Sequence, residues 1–440
     1  MIILEHVRIL HFYPGSVSEP MDVAIEGSKI IEVGTGLAVK YPSAERMSPG
    51  GYVSPGLVCS HNHFYSALAR GLAVAIAPSK DFAQQLKNMW WLLDRAIDEG
   101  IVRASGLAGS ADAAMLGVTS VVDHHASPEH IDGSLDVLRE GFDTVGIRGV
   151  LCYETTDRNG IDGAKAGVRE NVRFAKSLDA ERAHGLDPLV ESAIGAHAPF
   201  TIGDATLSDL SDACSTTKRG LHIHVAEDKF DAVDSRYRFD KDLCVRLDDA
   251  GLLGPKTILG HGLFLSPSEV ELVNERDSFI AHNARSNMNN AVGYNDKIGL
   301  YRNAVLGTDG IGSDMIEEAN FAFFKHHDAG GTMWMDAFLG MLQNGNRLLE
   351  RYFPGKRFGR VEAGYEADLT FWDYDPPTPL ESGNVAGHVA FGMGSRMVAS
   401  TMVAGRFIVK DRKPLFDAAA IAARGRSETR RLWQRMEERK

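Results

Sequence analysis

Tyr52-Val53-Ser54-Pro55-Gly56-Leu57-Val58-Cys59-Ser60-His61-Asn62-His63 is the stretch on which the reading of this chain turns. It is apolar and strand-like up to Cys59 and ends in two histidines two residues apart. On a strand, residues i and i+2 leave the same face about 6.6 Å apart, so two imidazoles can converge on one metal ion. Two histidines alone cannot hold a catalytic metal, and further donors are needed downstream. Candidates stand at the ends of later strand-like segments: His224 and Glu227 in Leu221-His222-Ile223-His224-Val225-Ala226-Glu227, His261 after Thr257-Ile258-Leu259-Gly260, and Asp309 in Val305-Leu306-Gly307-Thr308-Asp309-Gly310.

From Gly56 onward, strand-like runs alternate with helix-compatible segments, which predicts an α/β fold with a parallel sheet. Eight runs occur, near Leu57, Ser120, Ile147, Leu189, Leu221, Thr257, Ser278 and Asn303. Eight strands close a TIM barrel, whose C-terminal strand ends share one mouth, so residues 55–361 are expected to form a (β/α)8 barrel. Upstream, Ile2–Leu10, Val23–Ala24 and Lys29–Val33 alternate with turns at Pro14-Gly15 and Glu26-Gly27, without helices. Beyond Glu362 the helices are expected to stop and β-type runs return, in Ala367–Asp373 and in Met397–Val409 around Gly405. Residues 1–54 and 362–416 therefore pair into one small composite β domain. Residues 417–440 form a terminal helix with Leu432, Trp433 and Met436 on one face.

The 440 residues are 44% hydrophobic and carry 47 basic against 59 acidic side chains, a formal charge of −12. A large core is affordable at this length. The negative field disfavours nucleic acid and anionic membrane surfaces as partners, and is compatible with a small neutral or cationic substrate. Cys59, Cys152, Cys214 and Cys244 include no Cys-X-X-Cys pair, so neither a disulfide framework nor a cysteine zinc cluster is indicated. That also excludes the zinc deaminases built on His-X-Glu and Pro-Cys-X-X-Cys. Met1–His6 lacks the features of a secretory signal and no run reaches about 18 apolar residues, so a cytoplasmic protein is expected, with homo-oligomer formation left open.

Imidazole and carboxylate donors suit a divalent metal ion, zinc most readily with iron or manganese as alternatives, and His61, His63, His224, His261 and Asp309 would meet around it. Such an ion lowers the pKa of a bound water to about 7. Glu227 then carries the proton from water to the substrate, Asp309 also contacts the water, and His261 orients it or stabilises developing charge. Glu154, Asp157 and Arg158 at the end of the third run, with His125 and His197, are the candidates for reading the substrate. His124 and His125 lie on opposite faces of a continued strand, so only one of them points inward. His222 fits a packed core position as well as a site position. Trp90-Trp91 and His326-His327 fit packed helices.

The ordered set of His-X-His, His-X-X-Glu, His and Asp resembles the amidohydrolase superfamily. The resemblance covers nearly the whole chain. It implies a distorted (β/α)8 barrel, a composite β-sandwich from both termini, one metal ion held by His61, His63, His224 and Asp309, and hydrolytic deamination as the commonest reaction. The strings His61–Gly71 (HNHFYSALARG), Val122–Pro128 (VDHHASP), Cys152–Gly160 (CYETTDRNG), Leu221–Asp228 (LHIHVAED), Ser286–Gly293 (SNMNNAVG) and Gly307–Asp314 (GTDGIGSD) are similar to the SsnA-type aminohydrolases. Guanine and methylthioadenosine deaminases carry a substrate-binding acid after the first strand, where this chain reads Asp81-Phe82-Ala83-Gln84-Gln85-Leu86-Lys87 and then Trp90-Trp91-Leu92-Leu93-Asp94. The resemblance therefore leaves the substrate open. It points to deamination of a purine-like or other nitrogen heterocycle.

Cyclic-amide ring opening, as in hydantoinases and dihydroorotases, is an alternative. Their metal-bridging lysine on the fourth strand has no counterpart in Leu189–Gly195. Dechlorination of a triazine-like ring is another variant of the same attack. A non-catalytic binding protein is the rival from a different class, and it gives no reason to keep a carboxylate buried beside metal ligands.

Overall fold

The computed structural model describes residues 1–440. Two parallel sheets form its centre. One joins Leu57–Asn62, Val118–His125, Arg148–Tyr153 and Val190–Ser192, and the other joins Ile194–Ala196, Leu221–Val225, Ile258–His261, Phe279–His282 and Ala304–Leu306. Helices such as Glu99–Met115, Gly160–Ala183 and Met335–Tyr352 alternate with these strands. All eight expected runs are strands. The fourth is split at Ala193, because its two halves pair in opposite directions: the Ala193 amide donates to Leu151 O and the Ile194 amide to Gly220 O.

The strand-like run Tyr52–Cys59 also divides. Tyr52–Pro55 pairs antiparallel with Leu369–Trp372, whereas Leu57–Asn62 pairs parallel with Val118–His125. Gly56 is the joint between them. A Cβ there would stand 2.1 Å from Thr119 Oγ1, so the crossing from one sheet to the other needs glycine.

Strands from both ends of the chain pair in one nine-stranded sheet: Ile2–His11, Ser16–Glu26, Lys29–Gly34, Glu45–Met47 and Tyr52–Pro55 with Leu369–Trp372, Val398–Val403, Arg406–Lys410 and Lys413–Pro414. Neither flank is free of helix, contrary to expectation. Leu37–Lys40 is a single turn. Val385–Phe391 buries Val385, Ala386, Val389 and Ala390, a helical spacing that lets it join the main core. The C-terminal helix Ala418–Glu438 buries Leu432 and Met436 and is tied to the start of Glu99–Met115 by Arg431 and Asp98. No helix is long and apolar enough to cross a membrane.

Candidate metal centre

His61, His63, His224 and Asp309 come from four places in the chain and bring one donor atom each within 4.8 Å of one another. Asp309 Oδ1 lies 2.8 Å from His63 Nε2 and 3.4 Å from His61 Nε2, and His63 Nε2 lies 3.1 Å from His224 Nε2. Donors about 2.0–2.2 Å from a shared ion stand about 3 Å apart, so these separations fit a single cation.

The outer nitrogens fix how the rings face. His63 Nδ1 donates to His124 O at 2.6 Å and His224 Nδ1 to His197 O at 2.8 Å, which turns each Nε2 lone pair to the common centre. His61 Nδ1 lies 2.8 Å from His222 Nε2, and His222 Nδ1 faces Cys152 Sγ at 3.7 Å. His61 Nε2 is buried without a hydrogen-bond partner. Burial, helped by the neighbouring imidazoles, pushes the His61 pKa down to about 3 and that of His224 well below its ordinary value, so both rings are neutral donors. Burial also opposes charge on His63, but Asp309 and Glu154 raise its pKa to about 9, which marks a point that attracts positive charge.

Left-handed backbone at three strand ends delivers the functional groups. Ala226, His261 and Asp309 have φ of 47°, 71° and 52°, conformations that side chains other than glycine adopt at a cost and that cluster at active sites. The kink at Ala226 aims Glu227 toward the centre. Glu227 Oε1 accepts from Asn290 Nδ2 at 3.2 Å and Oε2 lies 3.5 Å from His261 Nε2. Burial raises the Glu227 pKa to about 7, against the opposing His261 charge. His261 Nδ1 donates to Asn287 Oδ1 at 2.8 Å, leaving its Nε2 facing Glu227. The second Asp309 oxygen accepts from Ser286. Ser286, Asn287 and Asn290 all lie in or at the end of the helix Ala284–Asn289. These three were not singled out as site residues from sequence.

A cavity partly open to solvent lies in front of this cluster. It reaches Tyr65, Trp90, Trp91, Phe200 and Phe230, so the tryptophan pair expected in a packed helix lines the cavity instead. Glu154 and His197 line it too, as the sequence suggested. Glu154 lies 3.3 Å from His124 Nδ1, 3.7 Å from His197 Nε2 and 3.2 Å from Arg158 Nη2. Burial works to raise its pKa, but His197, His124 and Arg158 hold it far below the ordinary carboxylate range.

Three of the sequence candidates stand back from the cavity wall. Asp157 accepts from Gly203 N at 2.7 Å and from Thr206, which ties two loops together. His125 is buried against Tyr65 and Tyr153 and meets Ser127 Oγ at 2.9 Å, while its neighbour His124 takes the inward face. Arg158 lies behind the wall and binds both Glu154 and Asp94. Asp94, which lines the cavity, was not among the candidates.

Parallel strands delivering three imidazoles and a carboxylate to one point, with a second carboxylate beside it, define a metal-dependent hydrolase. The description "Amidohydrolase family" matches residues 52–408, and the chain belongs to that family. The 5-methylthioadenosine/S-adenosylhomocysteine deaminase of Thermococcus sibiricus is 28% identical over 402 residues, 88% of this chain and 89% of that protein. The 5'-deoxyadenosine deaminase of Methanopyrus kandleri is 26% identical over 368 residues, 82% of each chain. Among solved structures, an adenosine deaminase from Xanthomonas campestris with bound zinc has a TM-score of 0.82 at 23% identity, covering 98% of both chains. Atrazine chlorohydrolase TrzN from Arthrobacter aurescens TC1, complexed with zinc, gives 0.81 at 20% identity, covering 98% of this chain and all of that one. These two likenesses bear on the fold. Membership of this family, with relatives named as deaminases, supports a hydrolase acting on C–N bonds.

Proposed function

We propose that this enzyme is a zinc-dependent aminohydrolase that removes an amino group, as ammonia, from a purine-like or related nitrogen heterocycle. The observation that carries the reading is Glu227 poised beside the four donors and open to an aromatic-walled cavity. Two relatives named for deamination of adenine nucleosides support it. In this reading the two parallel sheets form one distorted barrel. Its seams are Thr155 and Ala196 on one side and Asn62 and Asp309 on the other, each a parallel bridge. Residues 55–361 are the barrel, 1–54 and 362–416 a composite β-sandwich, and 417–440 a terminal helix. The cytoplasm is the expected compartment.

His61, His63, His224 and Asp309 would hold the cation, which when bound supplies the Lewis acidity that makes water a nucleophile near neutral pH. Glu227, with a pKa near the working range, accepts the water's proton and returns it to the departing nitrogen. His261 keeps its bare Nε2 toward Glu227, so one proton can be held between them. Ser286 and Asn290 fix the two carboxylates in place. The wall residues Glu154 and His197 face the substrate.

The test is elemental analysis of the purified enzyme combined with an ammonia-release screen over aminated heterocycles, with chloride and carboxylate products followed in parallel. One divalent ion per chain and ammonia release support the reading. Chloride release alone would move the assignment to dechlorination, and carboxylate release without ammonia to ring opening.

A further inference from the structure

The charge on the cavity wall exceeds what hydrolysis requires. The wall carries six carboxylates, Asp94, Glu154, Glu227, Asp228, Asp231 and Asp309, and no lysine or arginine. Glu227 and Asp309 belong to the chemistry. Asp228 and Asp231 are tied to the backbone of their own loop, accepting from Phe230 N and Ala226 N, each at 2.8 Å, although Asp231 Oδ1 is itself unpartnered. Asp94 and Glu154 remain, and one guanidinium serves both. Arg158 donates twice to Asp94 Oδ2 at 3.2 Å and once to Glu154 Oε1 at 3.2 Å, and lies 4.6 Å over the Trp91 ring.

Asp94 is 3% exposed, and its Oδ1 has no hydrogen-bond partner. Trp91, three residues earlier on the same helix, likewise has an unpartnered buried Nε1. A buried acceptor without a donor is costly, and an aspartate kept in that state on a cavity wall points to a ligand that completes it. Burial, with the nearby Glu154 charge, lifts the Asp94 pKa to about 7 even with Arg158 alongside.

We propose that Asp94 is a specificity-determining residue that reads the N–H groups of a planar, cationic or donor-rich nitrogen compound with an amidine-type edge. Arg158 is its positioning residue, bridging Asp94 and Glu154 and stacking on Trp91. This rests on the aminohydrolase reading and narrows it: the substrate is an aminated heterocycle without an anionic substituent. A cleft lined by one sign of charge concentrates cations and repels anions, and the aromatic wall favours a flat cation further.

Binding of benzamidine and benzamide to the zinc-loaded protein tests this by calorimetry, in the native enzyme and in Glu227→Gln, so the readout does not depend on turnover. Benzamidine should bind at least about tenfold more tightly than benzamide, the worth of a charge-assisted hydrogen bond. Asp94→Asn should remove that preference while leaving benzamide binding nearly unchanged. Arg158→Gln should narrow the ratio and Arg158→Lys restore part of it, an effect that loss of packing alone would not produce. Equal binding of the two probes, or a ratio untouched by Asp94→Asn, overturns the assignment. If Asp94→Asn does not fold, the probe ratio in Glu227→Gln still decides. A preserved ratio without ammonia release from any heterocycle would reject the aminohydrolase reading and leave Asp94 as the reader of N–H groups.

Discussion

At the scale of single residues, the site separates groups that hold charge from groups that aim them. With Glu227 as the proposed proton carrier, Glu227→Gln should keep the metal, by elemental analysis, and lose about 10²- to 10⁴-fold in turnover. Normal turnover in that variant would remove Glu227 from the mechanism. His222 donates nothing to the centre, but its Nε2 sits 2.8 Å from His61 Nδ1 and sets that ring's tautomer. His222→Phe should therefore weaken metal affinity about 10- to 100-fold in a chelator competition, the usual effect of losing a ligand's hydrogen-bond partner. From sequence, His222 was as good a core residue as a site residue, because its environment comes from strands far along the chain. His224 was singled out by Glu227 three residues later on the same strand end together with the family resemblance.

At the scale of elements, strand ends and seams carry the design. Gly195 lies in the second half of the split fourth strand, where a Cβ would stand 2.3 Å from Tyr153 O and 2.9 Å from Cys152 Sγ. Backbone cannot yield as a flexible side chain can. Gly195→Ala should lower stability by about 1–3 kcal/mol in urea unfolding and disturb the adjoining Glu154 and His197. An unaltered midpoint would mean that the two sheets are not packed this tightly. All eight strands were legible from their apolar runs. The split at Ala193 and the break at Gly56 were not, since hydrophobicity reports burial and not which neighbour receives a backbone hydrogen bond. The helix Val385–Phe391 was missed for a different reason: its small apolar residues were read against the β-type runs on either side.

At the scale of the whole molecule, the parallel sheets and the nine-stranded sheet are pinned together by a buried ion cluster. Arg148, on the third strand, donates to Asp368 at 2.7 and 3.1 Å and to Glu366 at 3.3 Å, with Phe353 and Phe358 packed on the guanidinium. Arg148→Met should cost about 3–5 kcal/mol, because two buried carboxylates lose their cation, and the loss should register in thermal or denaturant unfolding. Unchanged unfolding would show that the two sheets are coupled by apolar packing alone. The sequence by itself determined the order of strands and offered the proposed metal donors and Glu227, because they stand together as an ordered set at the ends of local apolar runs and that set resembles a known family. Tertiary structure alone decided which nitrogen of each histidine faces inward, that Asp157 and His125 stand back from the cavity, and that Asp94 reaches it. Those outcomes depend on pairs such as Asp94 with Arg158, far apart in the chain and brought together only by the packing of the strands and helices that carry them.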